Sequence, residues 1–185
     1  MRTPKGKRYV TNVDDADQYL CALKSVSCPH CSAVGFLIRH GFLRGYDERA
    51  VSTIRGWRVF CSNRYRRNGC GGTFSLSLGD VLHRLSISAH ILWCFVLAIC
   101  SGESIKTAWE DLEISSSLQT GYRLWRRLRL AQSRLRTFLC RVKPPPLSRG
   151  SEPFFQLLEH LKSVFPFDSC PFAAFQIHFQ QHLLD

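Results

Sequence analysis

Four cysteines in the first half of the chain constrain its fold more than any other feature. Cys28 and Cys31 are separated by two residues, and Cys61 and Cys70 follow further along the sequence. Two thiolates on such a tight turn, whose backbone amides donate hydrogen bonds to sulfur, are typical of one half of a zinc site. The four soft ligands predict one structural Zn²⁺ ion with no open position for water, which holds strands together and does not catalyse a reaction.

Two alternatives to this four-cysteine site stay open. Either the thiols are buried structural groups without a metal, or His30 or His40 replaces one of the cysteines. The second pair is the weaker signal, because the spacer between Cys61 and Cys70 is several residues longer than the usual two. We interpret this spacer as a basic loop that extends from the second turn. The other cysteines are expected to be small core residues: Cys21, Cys94, Cys100, Cys140 and Cys170.

The charge balance favours a polyanionic partner. A net charge of +11 and a pI near 9.6 exceed what solubility needs and suit nucleic acid or an anionic membrane surface. The longest apolar run, residues 91–100, is too short for a membrane span, and no secretory signal is expected after the polar N-terminus. We therefore predict a cytoplasmic protein, where metal binding is favoured over disulfides. A basic protein without such a partner is the alternative.

The change of hydrophobic period along the chain predicts an α+β fold. Short alternating segments indicate strands around the cysteines, with a loop or hairpin turn at residues 44–53, and the period then lengthens toward that of a helix. Pro144, Pro145 and Pro146 cannot continue a helix and predict a linker. The predicted parts are an N-terminal extension (1–27) with one short helix, a zinc ribbon (28–79), a three-helix unit (86–142), a proline-rich linker (143–152) and two amphipathic helices (153–185).

Serines are expected to cap the three helices of the central unit, since a hydroxyl accepts hydrogen bonds from the unpaired amides of a first turn. Ser86 or Ser88 is the candidate for the first helix, Ser104 for the second, and one of residues 115–117 for the third. The third helix carries an apolar stripe and many arginines. The stripe is Leu118, Tyr122, Trp125, Leu128, Leu135 and Phe138 or Leu139.

The arginines of this third helix predict contacts with double-stranded DNA. No acidic residue occurs between positions 114 and 151, so the helix can lie in a major groove and touch phosphates or guanine edges. A solvated arginine face on a packing helix is the alternative. Trp57 and Phe74 are expected in the small core beside the zinc, with base stacking as their alternative. The predicted DNA contacts are Arg64, Arg66 and Arg67 in the spacer and Arg123, Arg126, Arg127, Arg129 and Arg134 on the helix.

A succession of short motifs resembles a known arrangement. Its pieces are Cys28-Pro-His-Cys31, Arg39-His40-Gly41, Trp57-Arg58-Val59-Phe60-Cys61 and Cys70-Gly71-Gly72-Thr73-Phe74-Ser75. It resembles the zinc ribbon at the N-terminus of many bacterial insertion-sequence transposases, from which the long spacer departs. Residues 102–115 are similar to the first helix and turn of the helix-turn-helix that follows in that family, with Ala108 and Leu112 facing inward. The resemblance spans roughly residues 28–140.

The resemblance implies a DNA-binding protein of the bacterial nucleoid that acts as a transposition accessory factor or regulator. It does not extend to catalysis, because the sequence after the linker is too short for the ribonuclease-H-like sheet that would carry an acidic metal-binding triad. No Gly-rich phosphate loop and no pair of nucleophile and base is found, so we predict no enzyme activity. The carboxylates of the tail offer no paired metal site: Glu152, Glu159, Asp168 and Asp185.

Two other functions stay open. In the first, the zinc ribbon binds RNA or a protein of the transcription or translation machinery. In the second, the protein acts through its C-terminal tail alone, and residues 153–185 form a homodimer or bind a transposase. The alternative to a partner surface is that the phenylalanines of the tail fold back over the three helices and complete their core: Phe165, Phe167, Phe172, Phe175 and Phe179.

Overall fold

The computed structural model describes residues 6–65, 68–147 and 152–184. It confirms the α+β class, with six α-helices and a four-stranded mixed sheet in these ranges. The chain forms two compact units. The sheet unit contains the residues up to Gly45 together with Ser52–Gly79, and the helical unit contains Tyr46–Val51 and the residues from Asp80 onward.

The sheet is built from β1 (Tyr9–Val10), β2 (Leu37–Tyr46), β3 (Ser52–Cys61) and β4 (Thr73–Leu78), in the order β1-β4-β3-β2. β1 pairs parallel with β4, and β3 pairs antiparallel with β4. The turn between β2 and β3 is shorter than the predicted loop at 44–53, because the side chain of Asp47 closes it within a few residues. Its Oδ1 accepts hydrogen bonds from the amides of Arg49 (3.0 Å) and Val51 (2.8 Å). Both strands therefore extend into the range predicted as a loop.

The predicted N-terminal extension is part of the sheet unit in the residues that the structure describes. Helix α1 (Val13–Cys21) begins at Asn12, whose side chain accepts a 2.8 Å hydrogen bond from the amide of Asp15. Ala16 and Tyr19 on this helix are buried in one cluster with Val10 of β1 and with the cores of β3 and β4. A strand of two residues gives no periodic signal, which is why the sequence did not predict its pairing.

The helical unit contains the three helices predicted for residues 86–142: α2 (Ala89–Cys100), α3 (Ile105–Glu110) and α4 (Leu118–Leu139). Ser88 caps α2 by accepting from the amide of Ile91, and Ser104 caps α3 by accepting from the amide of Thr107, both at 3.1 Å. Ser117 occupies the cap position of α4 without a side-chain bond to the backbone. No helix in the described part of the chain is long and apolar enough to cross a membrane.

The two helices after the prolines, α5 (Pro153–Val164) and α6 (Pro171–Phe179), share one continuous core with α2, α3 and α4. The ring of Phe172 meets Trp93 of α2 edge-on at 4.9 Å, and Phe154 meets Trp125 of α4 at 4.8 Å. The interpretation in which the tail folds back over the three helices is confirmed, except that Phe167 is 99% exposed. A partner interface formed by residues 153–185 stays a prediction.

Candidate metal centre and basic surfaces

The structure brings the four predicted cysteines together at one end of the sheet. The Sγ atoms of Cys28, Cys31, Cys61 and Cys70 all lie within 4.8 Å of one another. The pairs Cys28–Cys70 and Cys31–Cys61 are each separated by 3.8 Å between sulfurs. Tetrahedral thiolates bound at about 2.3 Å from a zinc ion lie about 3.8 Å apart, so this spacing fits a four-coordinate metal.

Backbone amides turn toward three of these sulfurs. The amide of His30 donates to Cys28 Sγ, that of Cys70 to Cys61 Sγ, and that of Gly72 to Cys70 Sγ, each at 3.4 Å. Such donors stabilise thiolates and fix the ligand orientation around a cation.

Neither histidine considered as a fourth ligand belongs to the cluster. The Nε2 atom of His30 lies 3.2 Å from the carbonyl oxygen of Thr73, and the ring of His40 lies 5.5 Å from that of Phe60. Their rings are engaged elsewhere, so the donor set consists of four thiols.

The thiols differ in how readily they ionise. The backbone N–H of Ala33 lowers the pKa of Cys31 to about 7, whereas burial raises the pKa of Cys61 to about 12. Burial also raises the pKa of Cys28. Burial thus disfavours the ionised form of these two thiols. A bound divalent cation overcomes this effect, because its charge stabilises all four thiolates at once.

The long spacer between Cys61 and Cys70 is closed at its base by strand-like pairing. The amide of Cys61 donates to the carbonyl of Gly72 (2.8 Å), that of Gly71 to Cys61 (3.0 Å), and that of Gly69 to Ser62 (3.1 Å). Gly71 adopts a left-handed φ of 74°, which a side chain would strain. This pairing therefore brings the two ligands next to each other despite the long spacer.

Of the predicted DNA contacts in this loop, the structure describes one. Arg64 is exposed, and its guanidinium lies 5.4 Å from the centre of the Phe60 ring. Arg66 and Arg67 lie outside the described residues.

The predicted contacts on α4 fall into two groups. Arg123, Arg126 and Arg129 are exposed and have no hydrogen-bonding or ion-pair partner within the described ranges. They recur every third residue, about 4.5 Å apart along the helix axis. The opposite face of α4 is buried and includes Leu124 and Leu128. The predicted apolar stripe also contained Tyr122, but this side chain is 48% exposed and does not belong to the buried face.

Arg127 and Arg134 form the second group, which makes hydrogen bonds within the protein. Arg127 Nη2 donates to the carbonyl of Leu184 at 2.6 Å, while Arg134 Nη2 donates to the carbonyls of His182 (3.0 Å) and Leu183 (2.8 Å). These oxygens follow the end of α6 and have no helical partner, so a guanidinium satisfies them. Both arginines therefore hold the tail on α4, and their contacts with DNA stay a prediction.

Helices α3 and α4 are in close contact. A Cβ on Gly121 would lie 2.7 Å from Cδ2 of Trp109, so only glycine lets α4 approach the indole ring. Trp109 Nε1 donates to the carbonyl of Ser116 at 3.1 Å and ties the turn to α3. Ala108 is buried and Leu112 is partly buried against the same core, as predicted.

Other predicted side chains are placed as follows. Trp57 is buried and Phe74 is packed against the same sheet core, which confirms the core interpretation over base stacking. Of the cysteines outside the cluster, Cys170 is buried, and Cys94 and Cys100 are partly buried. The core interpretation is wrong for Cys21 and Cys140, which are exposed at the ends of α1 and α4.

A candidate surface that the sequence analysis missed lies on the hairpin of β2 and β3. Its exposed side chains include Phe42, Arg44 and Arg58. The signal available in the sequence was the absence of aspartate and glutamate from residues 18–46 and 49–79.

Comparisons of the chain with models of protein families, with characterised proteins and with solved structures give no match. The similarity to transposase N-terminal regions therefore stays a prediction that rests on the motifs alone.

Proposed function

We propose that this is a DNA-binding protein without enzyme activity, whose sheet unit is held by one structural Zn²⁺ and whose helix α4 contacts the duplex. The observation that supports this most is the set of unpartnered arginines on α4, Arg123, Arg126 and Arg129, in a stretch without carboxylates. Such a row is an electrostatic footprint for phosphates. Following the motif resemblance, the role is that of a transposition accessory factor or regulator.

Zinc is the metal that the donor chemistry favours. Four thiolates in a tetrahedron select zinc or iron among the common metals, and the closed shell leaves no position for water. The residues Cys28, Cys31, Cys61 and Cys70 would bind the ion and would cross-link the end of β3 to the two turns. Its role is to stabilise the fold.

The metal content of the purified protein tests this part. We expect one zinc per chain by elemental analysis, and less in a Cys31→Ser variant than in Cys21→Ser, whose thiol lies outside the cluster. Iron in place of zinc, or equal zinc in both variants, contradicts the proposed site.

The α4 arginines supply affinity mainly through phosphates. Each contact releases counterions from the duplex, so log K falls with log salt by about 0.9 for each neutralised phosphate. Their spacing along one exposed stripe lets all three approach the same duplex. Arg127 and Arg134 are not included in this set of phosphate contacts, because they already donate hydrogen bonds to carbonyls of the tail.

Fluorescence anisotropy of the zinc-loaded protein with a labelled random duplex tests the second part. We expect Arg126→Ala with Arg129→Ala to weaken binding at least tenfold and to lower the salt slope by about 1.8. Lys162→Ala on α5 is the matched control, since it removes a cation from another exposed helix face. Equal duplex affinity in the double variant and the control would refute α4 as the DNA surface.

A further inference from the structure

The hairpin of β2 and β3 presents a second basic surface, on a different unit from α4. The exposed positions of β2 are Arg39, His40, Phe42, Arg44 and Tyr46, and those of β3 are Ser52, Ile54 and Arg58. All except Arg39 are even-numbered, and in a hairpin closed by the odd pair Asp47 and Val51 the even positions of both strands share one face.

Two contacts support this assignment of faces. The rings of His40 and Phe60, both at even positions, lie 5.5 Å apart. On the opposite face, a Cβ on Gly45 would lie 2.7 Å from Cδ of Arg55. The odd positions of β3 continue into the sheet core through Trp57 and Val59, so the even face is the one turned to solvent.

The charge of this face has one sign. No aspartate or glutamate occurs in β2, β3 or β4, whereas Arg44 and Arg58 lack a hydrogen-bonding or ion-pair partner among the described residues. A surface of this kind attracts a polyanion and offers no repulsion to a phosphate backbone along the length of the strands.

Exposed apolar side chains lie among these cations. Phe42 is 48% exposed in the middle of β2, and Ile54 is 42% exposed on β3. The guanidinium of Arg39, an odd-numbered residue, also reaches the Phe42 ring and lies 4.4 Å from its centre. It covers part of Phe42, whose side chain nevertheless stays 48% exposed. An aromatic ring on a basic sheet stacks on an unpaired base, but a paired base inside a duplex does not offer its face.

We propose that this hairpin face, defined by His40, Phe42, Arg44, Ile54 and Arg58, binds single-stranded nucleic acid. Phe42 stacks on one base, and Arg44 and Arg58 contact the flanking phosphates. The hairpin face belongs to the sheet unit and the α4 arginines belong to the helical unit, so this proposal adds a single-stranded ligand to the duplex of the proposed function.

The test is anisotropy of the full zinc-loaded chain with fluorescein-labelled oligothymidylate. We expect Phe42→Ala to weaken binding by about 5- to 150-fold, the range for loss of one stacked base. Phe42→Tyr keeps the ring and should retain the affinity. Phe167→Ala, which removes a still more exposed phenylalanine (99% against 48%) from the helical unit, is the control and should bind as the unaltered chain does.

Arg44→Ala gives an independent measurement on the same surface. Its removal should lower the slope of log K against log salt by about 0.7, the value for one phosphate contact on a single strand. Retention of one zinc per chain in each variant shows that the sheet unit is intact. Unchanged oligothymidylate affinity in both Phe42→Ala and Arg44→Ala would overturn the proposal.

The same probe in the Arg126→Ala and Arg129→Ala double variant separates this inference from the duplex function. Binding that persists there and still depends on Phe42 supports a distinct surface, even if the protein binds no duplex. Binding that is lost there and is indifferent to Phe42 assigns single strands to α4 and refutes the hairpin site.

Discussion

The two units of the molecule are stabilised by different means. The core of the sheet unit includes Cys28 and Cys61 themselves, and it contains far fewer buried side chains than the core of the helical unit. The core of the helical unit joins five helices through large apolar residues, among them Phe95, Phe172 and Phe175. We infer that the sheet unit depends on its metal, whereas the helical unit depends on apolar burial. This difference can be tested one unit at a time.

Metal removal should have the largest effect, and only on the sheet unit. Structural zinc contributes about 10–16 kcal/mol of apparent binding free energy in small domains, which exceeds the stability of a small sheet. After chelation we expect the amides of β2, β3 and β4 to lose hydrogen-exchange protection, while those of α2 and α4 keep it. Protection lost equally in both units would show that they unfold together, and it would contradict the inference that only the sheet unit depends on the metal.

Phe172→Ala should have the converse effect. The side chain is fully buried against Trp93, and truncating a core phenylalanine costs about 3–5 kcal/mol. The urea midpoint of the helical unit should fall, with zinc content unchanged. Phe167→Ala is the matched control, because this exposed ring contributes little and its removal should change the free energy of unfolding by less than about 0.5 kcal/mol.

The sequence predicted the local features of the fold better than the long-range contacts between them. The cysteine spacing indicated the metal cluster, and the serines indicated the starts of α2 and α3, because both signals are local. The division of the arginines was not predictable. Arg126 and Arg127 are equivalent in a periodic pattern, and only the position of the carbonyl of Leu184 in the folded chain distinguishes them. The pairing of β1 with β4 likewise depends on long-range contacts.

Arg134→Ala should sharpen the distinction between structural and DNA-binding arginines. It removes the donor to the carbonyls of His182 and Leu183, and charged hydrogen bonds of this kind contribute about 1.5–3 kcal/mol. Denaturant unfolding should show this loss in the helical unit. Arg126→Ala should change stability by less than about 0.5 kcal/mol. A similar loss of stability in both variants would contradict the division of α4 into two groups.

Lowering the pH should change the stability of the two units in opposite directions, with the smaller effect in the helical unit. Partial desolvation raises the pKa of Asp80 above 3.8. The protonated carboxyl is thus favoured in the folded state, and its contribution to stability, fully present below pH 3.8, is lost as the pH rises through the raised value. Thiolates that bind a metal are protonated in acid, so the sheet unit should lose its metal as the pH falls.

Hydrogen exchange of each unit as a function of pH measures both trends. Asp80→Asn should remove the dependence attributed to this carboxyl in the helical unit and leave the metal release unchanged. A helical unit whose stability rises with pH through the same range would show that another group dominates.

Gln176 connects the two extremities of the helical unit. Its fully buried side chain donates to the carbonyl of Val81 and accepts from the amide of Leu183, both at 3.1 Å. The chain thus enters and leaves this part of the fold at neighbouring points. Domains with adjacent ends tolerate circular permutation and insertion into a host loop. Helices α2 to α6 are therefore suited to transfer as one segment from Asp80 onward, which would leave behind only residues 46–51 of the same unit.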